Sequence, residues 1–292
     1  MTATKMPIGL LRLGEALPFA GVAWLGAWLA QPAKGAVAWL PLLVAPLAVF
    51  LLAAFAFLFN DWQDGPADSL VPAKRIRART VARHSRLGAG LLGTGGLAMV
   101  LLALPGEIRP LWAGLASLVL AICYSMRWFP CKQVPVLASL VHLLEGDLAF
   151  AIGWWSSGNN SWEALLPGLT FGLVFAAGHL HHEVRDLEAD RLAGVRTCAV
   201  RFGPRRTLWI GFLLWLGSAL PLTIFVRQRP AIPELVAGIN LLLVAGYAVL
   251  FFTLGRGTDS RRGRLLRRLY RLLYLAGGLL MVASLLARRY WG

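Results

Sequence analysis

Long apolar segments, separated by polar connections, make up most of the chain. A hydrocarbon core about 30 Å thick needs roughly 20 residues of helix. Pro18 and Pro46 fall inside these segments, where membrane helices tolerate proline. The pattern predicts spanning helices at 8–30, 41–60, 87–105, 110–127, 134–156, 163–185, 207–226, 234–254 and 266–288. We therefore expect an all-α, polytopic membrane protein, a single domain over residues 1–292 with about nine transmembrane helices around a central cavity.

Acidic residues gather in two short segments that each follow an apolar span. The chain has 14 Asp and Glu residues, and half of them are Asp61, Asp64, Asp68, Glu183, Asp186, Glu188 and Asp190. Carboxylates beside hydrocarbon repel one another and lose hydration unless a cation lies among them. Hard oxygen ligands favour Mg²⁺ or Ca²⁺, and Mg²⁺ commonly shares its shell with substrate phosphates. The alternative is a structural network in which these carboxylates pair with nearby arginines.

Helical spacing places the oxygen atoms of each acidic segment on one face. Asn60, Asp64 and Asp68 recur at four-residue steps, so they share a face while Asp61 points aside. Gly65-Pro66 is expected to loosen or end this helix near Asp64, so that Asp68 returns on a loop or a kinked turn. The second segment has a matching stripe of His179, Glu183, Asp186 and Asp190.

Basic residues set the predicted orientation. The chain carries 29 Lys and Arg residues and a net charge of +15, and most of these residues flank the acidic segments. The positive-inside rule then predicts a multi-pass protein of the cell (inner) membrane with both motifs on the cytoplasmic side. The excess charge reflects topology and attraction to anionic lipid or a diphosphate, and not nucleic acid. No obligate protein partner is evident. The cations that could bind a diphosphate are Lys74, Arg75, Arg77, Lys132 and Arg185.

Two predicted spans carry ionisable residues at depth. Glu145 lies mid-helix with His142 one turn before it, and His179 lies about two turns deeper than Asp186. Such residues are expected to face the interior of the bundle. Glu145 is either an acceptor contact or proton acceptor, or a hydrogen-bonded carboxyl that holds helices together. His179 is a candidate base that lines the pocket.

The two acidic segments resemble known signatures. Asn60-Asp61-x-x-Asp64-x-x-x-Asp68 is similar to the first signature of the UbiA-type superfamily of intramembrane prenyltransferases. The run from Arg185 to Gly203 resembles its second signature, in the form seen in quinone-pathway members. Tyr124-Ser125 and Lys132 resemble the Tyr-Ser and Lys of the loop between the fourth and fifth helices. The resemblance covers nearly the whole chain, including the number of helices.

The resemblance implies a prenyltransferase with Mg²⁺ as cofactor. Such an enzyme would ionise an allylic polyprenyl diphosphate and transfer the prenyl group to a hydrophobic, often aromatic, acceptor in quinone or related lipid biosynthesis. Mg²⁺ would be bound through Asn60, Asp64, Asp68, Asp186 and Asp190. Catalytic roles would belong to Asp64, Asp186, Lys132 and Tyr124. The diphosphate would be held by the basic residues named above together with Tyr124 and Ser125.

The acceptor side departs from the pattern of the superfamily. The second motif opens with His182-Glu183 where Asn-Asp is common, and the first span offers Glu15 where Arg or Asn is expected. Two alternatives follow: a terpene cyclase of the same superfamily, which needs no external acceptor, and a divalent-cation transporter. A transport pathway would place charge nearer the midplane. The candidate acceptor or pocket residues are Glu15, His142, Glu145, His179 and Glu183.

Overall fold

The computed structural model describes residues 12–32, 35–69, 75–83, 87–128, 131–255 and 260–291, and this part of the chain contains helices and no β-strand. Short 3₁₀ turns lie at Cys131–Gln133 and Trp162–Ala164, and a π-helical turn lies at Phe251–Gly255. The helices are α1 Leu13–Leu29, α2 Trp39–Asp68, α3 Arg75–Arg83, α4 Leu87–Ala103, α5 Ile108–Ser125, α6 Leu137–Ser156, α7 Leu165–Arg185, α8 Leu187–Leu192, α9 Cys198–Phe202, α10 Pro204–Gly217, α11 Ala219–Arg227, α12 Glu234–Leu250 and α13 Ser260–Trp291.

Seven helical segments in the described ranges are long and apolar enough to cross a membrane, with α10 and α11 counted as one. Two shorter apolar helices in the described ranges, α1 and α4, lie where the first and third spans were predicted. Large apolar side chains on the outside of the bundle, such as Leu92, Leu213 and Leu242, are exposed. An exposed apolar surface is expected where a bundle faces lipid. The prediction of an all-α membrane protein is confirmed.

Helix α2 continues through Gly65-Pro66 to Asp68, so the prediction that it ends near Asp64 is wrong. A proline removes one backbone donor and usually disfavours the helical conformation of the residue before it, because its ring clashes with that residue's Cβ. The preceding residue here is glycine, which has no Cβ. The Ser69 N–H donates to the Gly65 carbonyl at 3.1 Å and completes the last turn.

Helix α6 packs against α1, α5 and α7 at the centre of the bundle. Gly26 on α1 lies against the Phe150 carbonyl of α6, and no space remains there for a Cβ. Gly146 on α6 and Gly172 on α7 approach each other in the same way. Small residues at such contacts allow the backbones of membrane helices to come close. This packing brings the polar residues of α6 and α7 side by side.

Candidate active site

The first acidic motif faces the connection between α5 and α6. Lys132, in the 3₁₀ turn, donates a hydrogen bond of 3.3 Å to Asn60 Oδ1 and forms an ion pair with Asp64. Ser125, the last residue of α5, donates a 2.9 Å hydrogen bond to the same Asn60 oxygen. Two oxygen-bearing side chains of α2 therefore converge on one cationic group.

Asp61 faces a different neighbour, as the helical spacing predicts. It is buried and forms an ion pair with Arg12, which precedes α1. Burial lowers the pKa of Arg12, but the carboxylates of Asp61 and Glu15 outweigh this effect, and the pKa is raised. Glu15 lies 3.1 Å from Arg12 Nη1 and 2.9 Å from Arg267 Nη2. Glu15, a candidate pocket residue, thus belongs to an ion-pair network that joins α1, α2 and α13.

The second acidic motif begins at the end of α7. Glu183 is 4% exposed, and its Oε2 accepts a 3.2 Å hydrogen bond from the Ala199 N–H at the start of α9. Asp186 links α7 to α8 and accepts bonds of 2.8 and 3.0 Å from Nε and Nη2 of Arg185. Asp190 lies in α8 and is partly buried. Glu183 therefore anchors the connection that carries Asp186 and Asp190.

A thiol joins this connection to the one that carries Lys132. Cys198 Sγ accepts a 3.1 Å hydrogen bond from the Val136 N–H. Val136 has a φ of +72°, in a region that β-branched residues rarely adopt. Burial raises the pKa of the Cys198 thiol, which keeps the thiol protonated near neutral pH. The connection that carries Lys132 is thus fastened to the segment that follows the second motif.

Tyr124 lies within electrostatic range of both acidic motifs. Its phenol is close enough to interact electrostatically with Asp64 of the first motif and Asp190 of the second. Its ring centroid lies 5.1 Å from that of His142 and 6.2 Å from that of His179. The arrangement combines two acidic segments, distant in sequence, around one aromatic side chain.

Two imidazole–carboxylate pairs lie beside Tyr124. The rings of His142 and His179 are 4.3 Å apart between centroids. His142 Nδ1 lies 3.1 Å from Glu145 Oε2, and His179 Nε2 lies 3.0 Å from Glu183 Oε1, and neither of these two contacts has the alignment of a hydrogen bond. Four of the candidate acceptor or pocket residues are therefore brought together, whereas Glu15 pairs with arginines elsewhere.

Part of the expected ligand set lies outside the described residues. Lys74 is one such residue, and the side chains of Asp68, Arg75 and Arg77 are also outside the described part. Among the residues that the structure describes, no three His, Cys, Asp or Glu side chains form a ready metal-binding group. A cavity of about 210 Å³ lies beside Trp28, at the other end of the bundle. The metal site and the central cavity stay predictions.

The side chains that are described fit a hard cation. Asn60 and Asp64 present oxygen atoms to the Lys132 ammonium group, so the point where they converge already accommodates positive charge. Amide and carboxylate oxygens are the ligands that Mg²⁺ prefers. Sequence reasoning missed Arg12 and Arg267 as partners of the acidic residues. The only indication of these two partners in the sequence was the excess of arginine near the ends of the predicted spans.

The chain is similar in sequence to known proteins. The profile of the UbiA prenyltransferase family matches residues 19–272. The lycopene elongase/hydratase of Haloferax volcanii is 33% identical over 61% of this chain, and the match spans 58% of that protein. The protoheme IX farnesyltransferase of Nitratidesulfovibrio vulgaris is 27% identical over 82% of this chain and 85% of its own length.

Solved structures with the same fold extend the comparison. A UbiA homolog from Archaeoglobus fulgidus bound to GPP and Mg²⁺ superposes with a TM-score of 0.72 and 18% sequence identity. The match covers 94% of this chain and 98% of that protein. At this identity the likeness concerns the fold.

Proposed function

The chain belongs to the UbiA prenyltransferase family, and we propose that it uses Mg²⁺ to transfer a prenyl group from an allylic polyprenyl diphosphate to a hydrophobic acceptor. The observation that carries this proposal is the convergence of Asn60, Asp64 and Lys132 beside Tyr124. Ionisation of an allylic diphosphate leaves negative charge on the diphosphate and positive charge on the prenyl carbon. The site has groups suited to both charges.

The departing diphosphate requires positive charge. The Lys132 ammonium group lies on a flexible side chain and can replace its contact to Asp64 with a contact to a phosphate oxygen. Ser125 can donate a hydrogen bond beside it. Mg²⁺, when bound, would neutralise part of the diphosphate charge and lower the barrier to ionisation. The residues that would hold it are Asn60, Asp64, Asp68, Asp186 and Asp190. The remaining cations for the diphosphate would be Lys74, Arg75, Arg77 and Arg185.

The prenyl cation requires protection from water. Tyr124 and the two imidazole rings beside it form an aromatic group next to the first motif. Such rings can stabilise a cation through their π-faces, and the apolar helices around them exclude water. The basic connections at this end of the bundle support an orientation in which the site opens to the cytoplasm.

The class of acceptor has two candidates. An aromatic acceptor, as in quinone or related lipid biosynthesis, is the expectation from the sequence motifs. A polyene acceptor is favoured by a different observation, since the relative from Haloferax volcanii is named lycopene elongase/hydratase. Both classes react through a carbon–carbon π-bond, so the same donor machinery serves either.

A product screen tests the proposal. Purified protein with Mg²⁺ is incubated with DMAPP or GPP, each alone, with lycopene and with a panel of phenolic acids, and products are identified by mass spectrometry. We expect diphosphate release and one prenylated acceptor, both abolished by a chelator and restored by added Mg²⁺. Full activity in excess chelator would refute the role of the cation.

The same screen separates the rival functions. A cyclic hydrocarbon or alcohol formed without an acceptor would identify a terpene cyclase. Mg²⁺ flux into proteoliposomes, with no product from any diphosphate, would identify a transporter. Either result would overturn the proposed transfer.

A further inference from the structure

Helix α6 carries a polar pair that takes no part in binding the diphosphate. His142 and Glu145 lie one turn apart and face each other at 3.1 Å. Their side chains are 21% and 15% exposed, so the pair is largely withdrawn from solvent. An ionisable pair in a membrane-spanning helix is costly and is commonly functional.

The depth of the pair suits a position beyond the diphosphate. Helix α6 begins at Leu137, close to the turn that carries Lys132. With a rise of 1.5 Å per residue, His142 lies about 7.5 Å into the helix and Glu145 about 12 Å. The prenyl carbon that reacts lies next to the diphosphate, and the bond to the acceptor forms there. The His142 ring lies 5.1 Å from that of Tyr124, so a prenyl carbon bound beside Tyr124 would place the charged acceptor carbon close to the pair.

The carboxylate of Glu145 favours one tautomer of the His142 ring. An imidazole nitrogen beside a carboxylate holds the ring proton, and the other nitrogen keeps a free lone pair. Nδ1 lies 3.1 Å from Glu145 Oε2, so the tautomer with its proton on Nδ1 is favoured, and this tautomer leaves the lone pair on Nε2. Protonation of Nε2 would create an imidazolium whose charge Glu145 balances. His142 is thus arranged to accept one proton.

The neighbouring His179 ring allows only one of the two imidazoles to become positively charged at a time. The His179 ring lies 4.3 Å from the His142 ring, and like charges at this distance repel strongly. Glu183, the partner of His179, is also held by the Ala199 N–H. The carboxylate of the second pair is therefore already bonded to the α7–α9 connection. Among the described residues, no backbone N–H donates to Glu145.

We propose that His142, oriented by Glu145, is the base that completes prenyl transfer to a carbon–carbon double bond. This inference rests on the proposed function. The C–O bond of the allylic diphosphate breaks with its electron pair leaving on the diphosphate, and the π-electrons of the acceptor form the new C–C bond. The positive charge then lies on the neighbouring acceptor carbon. His142 Nε2 removes a proton from the carbon next to that cation, and the C–H electron pair restores a double bond.

This assignment defines the product class. A cation that loses a proton gives an olefin or, for an aromatic acceptor, a restored ring. A cation that meets water instead gives an alcohol. The base therefore directs the polyene adduct to the olefin and away from the alcohol.

The experiment compares two conservative variants with a matched control. His142→Gln and Glu145→Gln remove the base or its partner, and Asp147→Asn makes the same carboxyl-to-amide change two residues away on α6. Each protein receives Mg²⁺, GPP and lycopene, followed by the acceptor that the product screen identifies if lycopene is not converted. Diphosphate release and the ratio of olefin to alcohol are measured separately.

We expect His142→Gln to lower olefin formation about 100-fold, within the range for loss of a general base. Diphosphate release should fall much less than olefin formation in both pair variants, and thermal unfolding of each variant in detergent shows that it is folded. With a polyene acceptor, the ratio of olefin to alcohol should fall in both pair variants. Asp147→Asn should keep the wild-type ratio. With an acceptor deuterated at the carbon that loses the proton, His142→Gln should show a primary isotope effect that wild type lacks.

Three outcomes would overturn the inference. Wild-type product ratios in both pair variants would remove any role for His142 as a base. A change found only in His179→Gln would assign the base to the other imidazole. If wild type releases no diphosphate and converts no acceptor, the proposed function itself fails. The product ratio of the variants, by contrast, tests only the role of His142.

Discussion

Ser125 donates a hydrogen bond of 2.9 Å to the side-chain oxygen of Asn60, a residue 65 positions earlier in the chain. The bond fixes which end of the Asn60 amide faces Lys132, because the oxygen that accepts from Ser125 also accepts from the ammonium group. It therefore orients, from a different helix, the Asn60 oxygen that we propose as a ligand. The end of α5 and the last turns of α2 thus meet at the proposed binding surface.

The first prediction concerns Asp64. Asp64→Asn keeps the volume of the side chain but removes the charge that faces Lys132. We expect kcat to fall by about 100-fold or more, as when one electrostatic contact to a developing charge is lost. Glu188→Gln is the matched control, since Glu188 belongs to the second acidic segment but is exposed. Equal losses in both variants, in a diphosphate-release assay, would contradict a specific role for Asp64.

The anchor at Glu183 gives a second prediction. Glu183→Ala leaves the buried Ala199 N–H without its acceptor and should lower stability by about 1–3 kcal/mol. It should also lower kcat/KM, because Asp186 and Asp190 lie on the connection that this bond holds. Glu183→Gln retains an acceptor oxygen and should keep most of the stability. Thermal unfolding in detergent and steady-state kinetics measure the two effects, and similar unfolding of both variants would argue against the anchor.

The spans and the shared face of Asn60 and Asp64 were accessible from the sequence. Backbone groups in a membrane must be satisfied within each helix, so apolar length translates directly into spanning helices. The period of the helix then determines which neighbours share a face, and it correctly separated Asp61 from Asn60. These are local properties of one helix at a time.

Contacts between helices were not accessible in the same way. The rings of His142 and His179 meet because α6 and α7 approach closely at Gly146 and Gly172, and no rule of spacing within one helix specifies that approach. The continuation of α2 through Pro66 was missed for a local reason. The usual effect of proline was applied without the allowance that Gly65, lacking a Cβ, provides.

Helix contact supplies a third prediction. Gly26→Ala would place a methyl group against the Phe150 carbonyl, so α1 and α6 must separate. We expect a loss of about 1–3 kcal/mol, as for other over-packed positions. Gly21→Ala on the same helix meets no atom within 4 Å and should raise stability by about 0.5–1 kcal/mol through its higher helix propensity. Thermal unfolding of the two variants should shift in opposite directions, and a neutral Gly26→Ala would refute the close contact.

A fourth prediction tests the ion pair of Arg12 and Asp61. The Asp61 side chain is 2% exposed, so Asp61→Leu removes a buried partner of Arg12 and should cost about 3 kcal/mol of stability. Replacing both residues, as Arg12→Met with Asp61→Leu, should recover most of this loss because no charge then stays buried without a partner. A double-mutant cycle by thermal unfolding measures the coupling. Additive losses would show that the pair contributes nothing to stability.

Lys132 provides the last prediction. Its ammonium group contacts Asp64 and Asn60, where a phosphate oxygen of the substrate would take the place of a carboxylate contact. Lys132→Ala should therefore raise KM for the diphosphate by about tenfold, the effect of losing roughly 1.4 kcal/mol of binding, with a smaller change in kcat. Arg227→Ala removes the same charge from an exposed position at the other end of the bundle and should leave KM unchanged. An unchanged KM in Lys132→Ala, together with normal unfolding, would show that the diphosphate is bound without Lys132.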